Sequence, residues 1–132
     1  TRQSSVFTRG TSIRNHRQVS IVDTGELAQI AIAMGIPRID PGVIADNICT
    51  EGIDGLTCLP RMTRLVFPSG AVIMPGGPNA PCTIAGGMLE RVYGSQPESF
   101  PKAAWGLRGV TGWIEHPGMV RPGDAMTVHE PD

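Results

Sequence analysis

No sign of charge dominates this sequence: 11 Lys and Arg stand against 12 Asp and Glu, for a net charge of −1 over 132 residues. Without a Lys/Arg run or a basic patch, the chain lacks the electrostatic footprint of a nucleic-acid binder. No apolar run reaches membrane length, and no charged, apolar and small-residue succession marks a signal peptide. A cytoplasmic protein away from the membrane is the expectation. Cysteines number only three, Cys49, Cys58 and Cys82. An odd count at irregular spacing argues against a disulfide framework. There is no C-x-x-C and no close His/Cys pairing, so no protein metal site is expected, and nothing signals pyridoxal phosphate. Internal repeats and low-complexity tracts are missing too.

What is present describes a globular chain. Hydrophobic residues make up 40% and charged residues 17%, a balance that supports a core. The length suits a single domain over residues 1–132. Residues 1–15 are polar and read as a flexible lead-in. Glycine (17) and proline (12) are frequent, which points to many short strands joined by tight turns.

Arg17–Val22 alternates polar and apolar residues and reads as a strand. The clearest helix follows it. Asp23 can cap it, Glu26 stands where a capping box places its acid, and Val22 with Leu27 fits a hydrophobic staple. Leu27, Ile30, Ala31 and Met34 share one face. Gly35 closes the helix, and Pro37 stops it. Pro41–Gly55 reads as a loop. Thr63–Phe67 and Ala71–Met74 flank Pro68-Ser69-Gly70 as a hairpin. A short helix over Ile84–Tyr93 is weakened by Gly86 and Gly87. Arg108–Glu115 and Ala125–His129 read as further strands, with turns at His116-Pro117-Gly118 and Arg121-Pro122-Gly123-Asp124. The sum is a mainly β (α+β) domain, a closed or partly closed β-barrel with a few packed helices. A doubly wound parallel sheet would need regular strand and helix alternation, which is missing.

The segment with the most chemical promise is Gly76-Gly77-Pro78-Asn79-Ala80-Pro81-Cys82. It reads as a stiff loop between a strand and a helix beginning near Thr83. A thiol there is presented to solvent, and the N–H groups of the helix start favour its thiolate. The bland alternative is a half-buried core cysteine. Cys49 and Cys58 read as core residues on the same argument. Asp46-Asn47 suits an Asx turn or a ligand contact. Arg108, at a strand start, can clamp a phosphate or lie solvated on the surface. His16, His116 and His129 match no metal or triad spacing. Thr1 as an N-terminal nucleophile lacks a nearby base or oxyanion donor.

Five motifs in order carry a resemblance. They are Arg17-Gln-Val-Ser-Ile-Val-Asp23; Asp46-Asn47-Ile48 with Glu51-Gly52-Ile53; Pro81-Cys82; Arg108-Gly109-Val110; and Gly118-Met-Val-Arg-Pro-Gly-Asp124. Together they make nearly the whole chain, from Arg17 to Val128, resemble the MOSC domain. That is the C-terminal domain of molybdenum cofactor sulfurases, found also as stand-alone bacterial proteins. The resemblance implies a barrel similar to that of pyruvate kinase. It implies a sulfur-carrying or sulfur-transferring role linked to the molybdenum cofactor.

Cys82 matches the family's characteristic cysteine, which is thought to carry sulfur as a persulfide. Asn47, beside Asp46, matches the family's Glu/Asp-Asn motif, and Arg108 with Gly109 matches its late Arg-Gly. On this reading Arg108 and Arg17 hold an anionic group, and Asn47 orients the ligand. Asp46 and Asn79 complete the candidate binding residues, and the loop amides stabilise developing negative charge. A small-molecule ligand and a sulfur donor or acceptor protein are the implied partners. Two alternatives use the same residues. One is an enzyme that cleaves a C–S bond of a small sulfur compound or acts on an N-oxygenated one. The other is a pterin cofactor-binding module that does no chemistry. Members usually carry an upstream Gly-Asp-Arg-His type motif that Thr1–His16 lacks. If strands are missing there, an open sheet edge is expected to recruit a partner chain or a second copy.

Overall fold

The computed structural model describes residues 18–131. The lead-in at 1–15, Thr1, His16 and Arg17 lie outside the described residues. The first strand, β1 (Val19–Asp23), runs into α1 (Thr24–Met34). The Asp23 side chain accepts from the Gly25 N–H at 3.0 Å, and Gly35 caps the far end through its N–H to Ala31. The expected face is also the buried one, with Leu27, Ile30 and Ala31 in the core. The capping box is only half formed. Glu26 does not turn back to the cap; it is buried and bonded elsewhere.

The Pro41–Gly55 loop contains a short strand that the sequence reading missed, β2 (Ile48–Thr50), followed by a 3-10 turn at Leu56–Cys58. Then come β3 (Arg64–Val66) and β4 (Val72–Pro78) as the expected hairpin, and α2 (Thr83–Tyr93). A short α3 (Ser99–Ala103), unforeseen, precedes β5 (Val110–His116) and β6 (Thr127–His129).

The strands form one six-stranded sheet in the order β2-β1-β5-β4-β3-β6. β1 pairs with β2 in parallel, across α1, and every other pair is antiparallel. The edges, β2 and β6, are not bonded to each other, so the sheet makes a partly closed barrel rather than a closed one. Strand alternation divides the apolar residues between two faces. Val22 points toward α1, α2 and α3, where Leu27, Ile30, Leu89 and Phe100 gather. Ile21 points the other way, into a cluster with Leu56, Leu65, Phe67, Ile73 and Val110.

The expected loop Gly76–Cys82 is shorter than the sequence implies. Gly76, Gly77 and Pro78 belong to β4; Gly77 and Pro78 pair with β5, and Gly76 falls in the register shift between Pro75 and Gly77. Prolines are tolerated there because β3 pairs only with Val72 and Ile73. The second half of β4 therefore has one neighbour and needs no N–H toward the other side. The bulge bends the strand, and the loop proper is Asn79–Cys82.

Candidate functional site at Cys82 and Arg108

Cys82 is exposed and occupies the position before the first residue of α2, in extended conformation, with φ −140° and ψ 168°. Its side chain makes no cap hydrogen bond, and the first turn of α2 contains no acidic residue. The helix therefore presents the positive end of its dipole, with first-turn N–H groups that its cap side chain does not satisfy.

The sheet brings Arg108 to this place. Pro78 at the end of β4 pairs with Val110 at the start of β5, and beyond them the Asn79 N–H donates to the Gly109 carbonyl at 2.8 Å. The Cys82 loop thus leaves the sheet where the Arg108-Gly109 segment enters it. Arg108 is only 8% exposed, which overturns its reading as a solvated charge. One guanidinium nitrogen, Nη2, donates to the Ile44 carbonyl at 2.9 Å, while Nη1 is buried with no partner. Burial lowers the pKa of Arg108, and the charges of Asp46 and Cys82 act against that shift.

A buried network holds the Arg108-Gly109 turn. The Gly109 N–H donates to Thr57 Oγ1 at 2.8 Å. The Thr57 hydroxyl and N–H donate in turn to Glu26 Oε1 at 2.7 and 3.1 Å. Gly109 has a φ of +88°, and a Cβ there would come within 2.0 Å of the Ile21 carbonyl. Only glycine fits so close to β1 in that conformation. Burial lifts the Glu26 carboxyl above its ordinary pKa, with the hydrogen bonds from Thr57 opposing and the Asp23 charge reinforcing the rise. The sequence reading gave Thr57 and Glu26 no part in the site. Glu26 carried the signal of a helix cap, and Thr57 carried none.

The other expected residues have structural tasks. Both Asp46 carboxylate oxygens accept from the Gly42 N–H at 2.9 Å, a local turn bond. Asn47 extends the β1–β2 pairing: its N–H donates to the Ser20 carbonyl at 3.0 Å, and its Oδ1 accepts from the Ser20 N–H at 2.8 Å. Asn79 contributes the backbone bond to Gly109. Asn47 also lines a cleft of about 670 Å³ with Cys49, Glu51, Phe67, Arg121 and Asp124. That cleft joins the second motif to the last, and neither Cys82 nor Arg108 lines it. Four of the five motifs therefore fall in two places, Cys82 with Arg108-Gly109 at one and the second motif with the last at the other.

The other cysteines separate. Cys49 is half-buried, and its pKa is pushed up to about 11 by burial and then by the Asp46, Asp23 and Glu51 charges. Cys58 is exposed on its 3-10 turn, not packed in the core as expected. Such a short turn leaves no inward face for its last side chain. Among the described residues, no group of three His, Cys, Asp or Glu side chains stands together to hold a metal ion.

Comparison with known proteins bears on the family and the fold. The family model described as "MOSC domain" matches residues 8–127. A Bacillus subtilis (strain 168) protein named "Putative metal-sulfur cluster biosynthesis proteins YuaD" is 41% identical over 127 residues. That alignment takes in 94% of this chain and 66% of the relative, so the chain spans just under two thirds of the relative's length. The crystal structure of the YuaD protein from Bacillus subtilis superposes with a TM-score of 0.87 at 40% identity, covering 96% of this chain and 71% of the other. With its motifs in order, its partly closed barrel and a family match across most of its length, the chain belongs to the MOSC domain family.

Proposed function

We propose that this protein carries sulfur on Cys82, accepting it as a persulfide and passing it to a second molecule. The observation that carries the reading is an exposed thiol at the positive end of α2, beside a buried arginine with an unused donor. Sulfur transfer needs an accessible sulfur nucleophile and nearby positive charge to hold the anion that forms. Cys82 meets the first need and Arg108 the second. Cys49 is unsuited, because its raised pKa keeps it a thiol. The name of the Bacillus relative points to metal-sulfur cluster biosynthesis, in which mobile sulfur is a raw material.

The acceptor we favour is the molybdenum cofactor. Its anionic phosphate end suits the orphaned Nη1 of Arg108, and its sulfur-seeking metal suits a persulfide at Cys82. The site residues here are Cys82 and Arg108, with the loop amides near Asn79 at hand. Asn47 and Asp46 would shape the adjoining wall, since Asn47 Oδ1 and the Asp46 carboxylate already accept from the backbone. A sulfur donor or acceptor protein could approach Cys82 directly, because that thiol is exposed. No described helix is long and apolar enough to cross a membrane.

Exchange of Cys82 for serine tests the proposal. The variant should keep the secondary structure and melting profile of the parent and lose sulfur transfer entirely. Transfer that survives the exchange would refute the mechanism. Tight cofactor binding with no transfer in either protein would mark a binding module instead.

A further inference from the structure

We infer that the Cys82 site draws its sulfur from a small anionic donor bearing an oxidised sulfur head, of the thiosulfate or thiosulfonate class. The inference rests on the sulfur-carrying reading and names the donor for it. Two independent features lie near the thiol, and both offer hydrogen-bond donors. One is the N-terminal turn of α2, eleven residues long, with no side-chain cap at Cys82 and no acid in its first turn. The other is Nη1 of Arg108, buried and without a hydrogen-bond partner. A buried unsatisfied donor is costly, and a charged one more so, unless a ligand completes it.

No nearby acceptor meets Nη1 of Arg108. Both Asp46 oxygens take the Gly42 N–H, and the Ile44 carbonyl takes only Nη2 of Arg108. A single sulfur anion is a weak acceptor for a helix terminus and a guanidinium together. A head with several oxygens offers enough, and tetrahedral oxyanions suit both partners. The β4–β5 pairing and the bond from Asn79 to Gly109 bring the Cys82 loop and the Arg108 turn to one end of the ladder, where the Cys82 charge acts on Arg108.

The step balances without an added oxidant. The Cys82 thiolate attacks the outer sulfur of the bound donor, forming a new S–S bond. The donor's own S–S bond breaks, and its electron pair leaves with the oxidised head as sulfite or a sulfinate. Cys82 is left as a persulfide anion. The proton of the thiol goes to solvent beforehand.

The test compares two donors on the intact protein by mass spectrometry. Thiosulfate carries the oxyanion head; inorganic polysulfide carries only sulfur. Both should add sulfur to Cys82. Arg108→Met should slow loading from thiosulfate by roughly tenfold or more beyond any slowing with polysulfide, the scale of one lost charge-assisted bond. Sulfate should compete with thiosulfate and not with polysulfide, a check on the parent protein that needs no variant to fold. Arg108→Lys, which keeps the charge, should recover part of the thiosulfate rate. Loading by polysulfide alone, or equal losses for both donors in Arg108→Met, would overturn the inference and leave the sulfur-carrying reading standing. Failure of both donors to load Cys82 would remove the reading itself.

Discussion

The N–H of Asn79 donates to the carbonyl of Gly109 at 2.8 Å, and this bond ties the cysteine loop to the arginine turn. It continues the β4–β5 ladder one step past Pro78 and Val110. Two segments thirty residues apart thereby meet at the mouth of the sheet. Cys82 and Arg108 are brought to the same end of the β4–β5 ladder.

Cysteine reactivity should follow this geometry. Iodoacetamide at mildly alkaline pH should label the exposed Cys82 and Cys58 quickly. Cys49 should lag far behind, because burial and three carboxylates push its pKa up to about 11. Peptide mapping over a time course reads the order, and early labelling at Cys49 would contradict the burial of that thiol.

Thr57 links Glu26 to Gly109, so removing its hydroxyl should loosen the arginine turn. Thr57→Val keeps the shape but leaves the Gly109 N–H without its acceptor. The expected loss is about 1–3 kcal/mol of stability, as for other buried donors left unmatched. Urea unfolding measures it, and a variant as stable as the parent would show that the network does not hold the turn.

Glu26 should make stability depend on pH. Its folded pKa is raised, so the folded chain holds this proton more tightly than the unfolded one. Its contribution is therefore largest below the ordinary carboxylate pKa and is lost as pH rises through the folded value. Glu26→Gln can still accept from Thr57 and has no proton to lose. The variant should gain on the parent between about pH 4 and neutrality, bracketing the ordinary carboxylate range. Melting temperatures across that range test the sign; a constant difference would contradict it.

Adjacent glycines in α2 should respond in opposite directions. A Cβ at Gly86 would come within 2.2 Å of the Pro97 carbonyl, whereas one at Gly87 meets nothing within 4 Å. Gly86→Ala should destabilise by about 1–3 kcal/mol or more through the forced shift. Gly87→Ala should stabilise by about 0.5–1 kcal/mol through helix propensity. Thermal melts of the two variants decide, and a stabilised Gly86→Ala would mean that α2 does not pack closely on Pro97.

Local signals are legible in this sequence, and contacts from afar are not. The Asp23 cap and the Leu27, Ile30 and Ala31 face are local signals, and both are present as expected. The position of Cys82 before α2 was legible because the turn residues and the helix start lie side by side in the chain. Gly76–Pro78 reads as loop because glycine and proline disfavour strands, yet pairing with β5 overrides that preference. Arg108 reads as a surface charge because its burial depends on the Ile44 carbonyl, 64 residues away. Glu26 resembles a capping acid until Thr57 is folded against it. Wherever a contact from afar decided the outcome, the local pattern misled.

The most direct test of sulfur carriage is peptide mapping after exposure to polysulfide under non-reducing conditions. The account predicts one added sulfur on the peptide containing Cys82, released by a thiol reductant, with Cys49 unmodified. Added sulfur on Cys49 or Cys58 with none on Cys82 would contradict it.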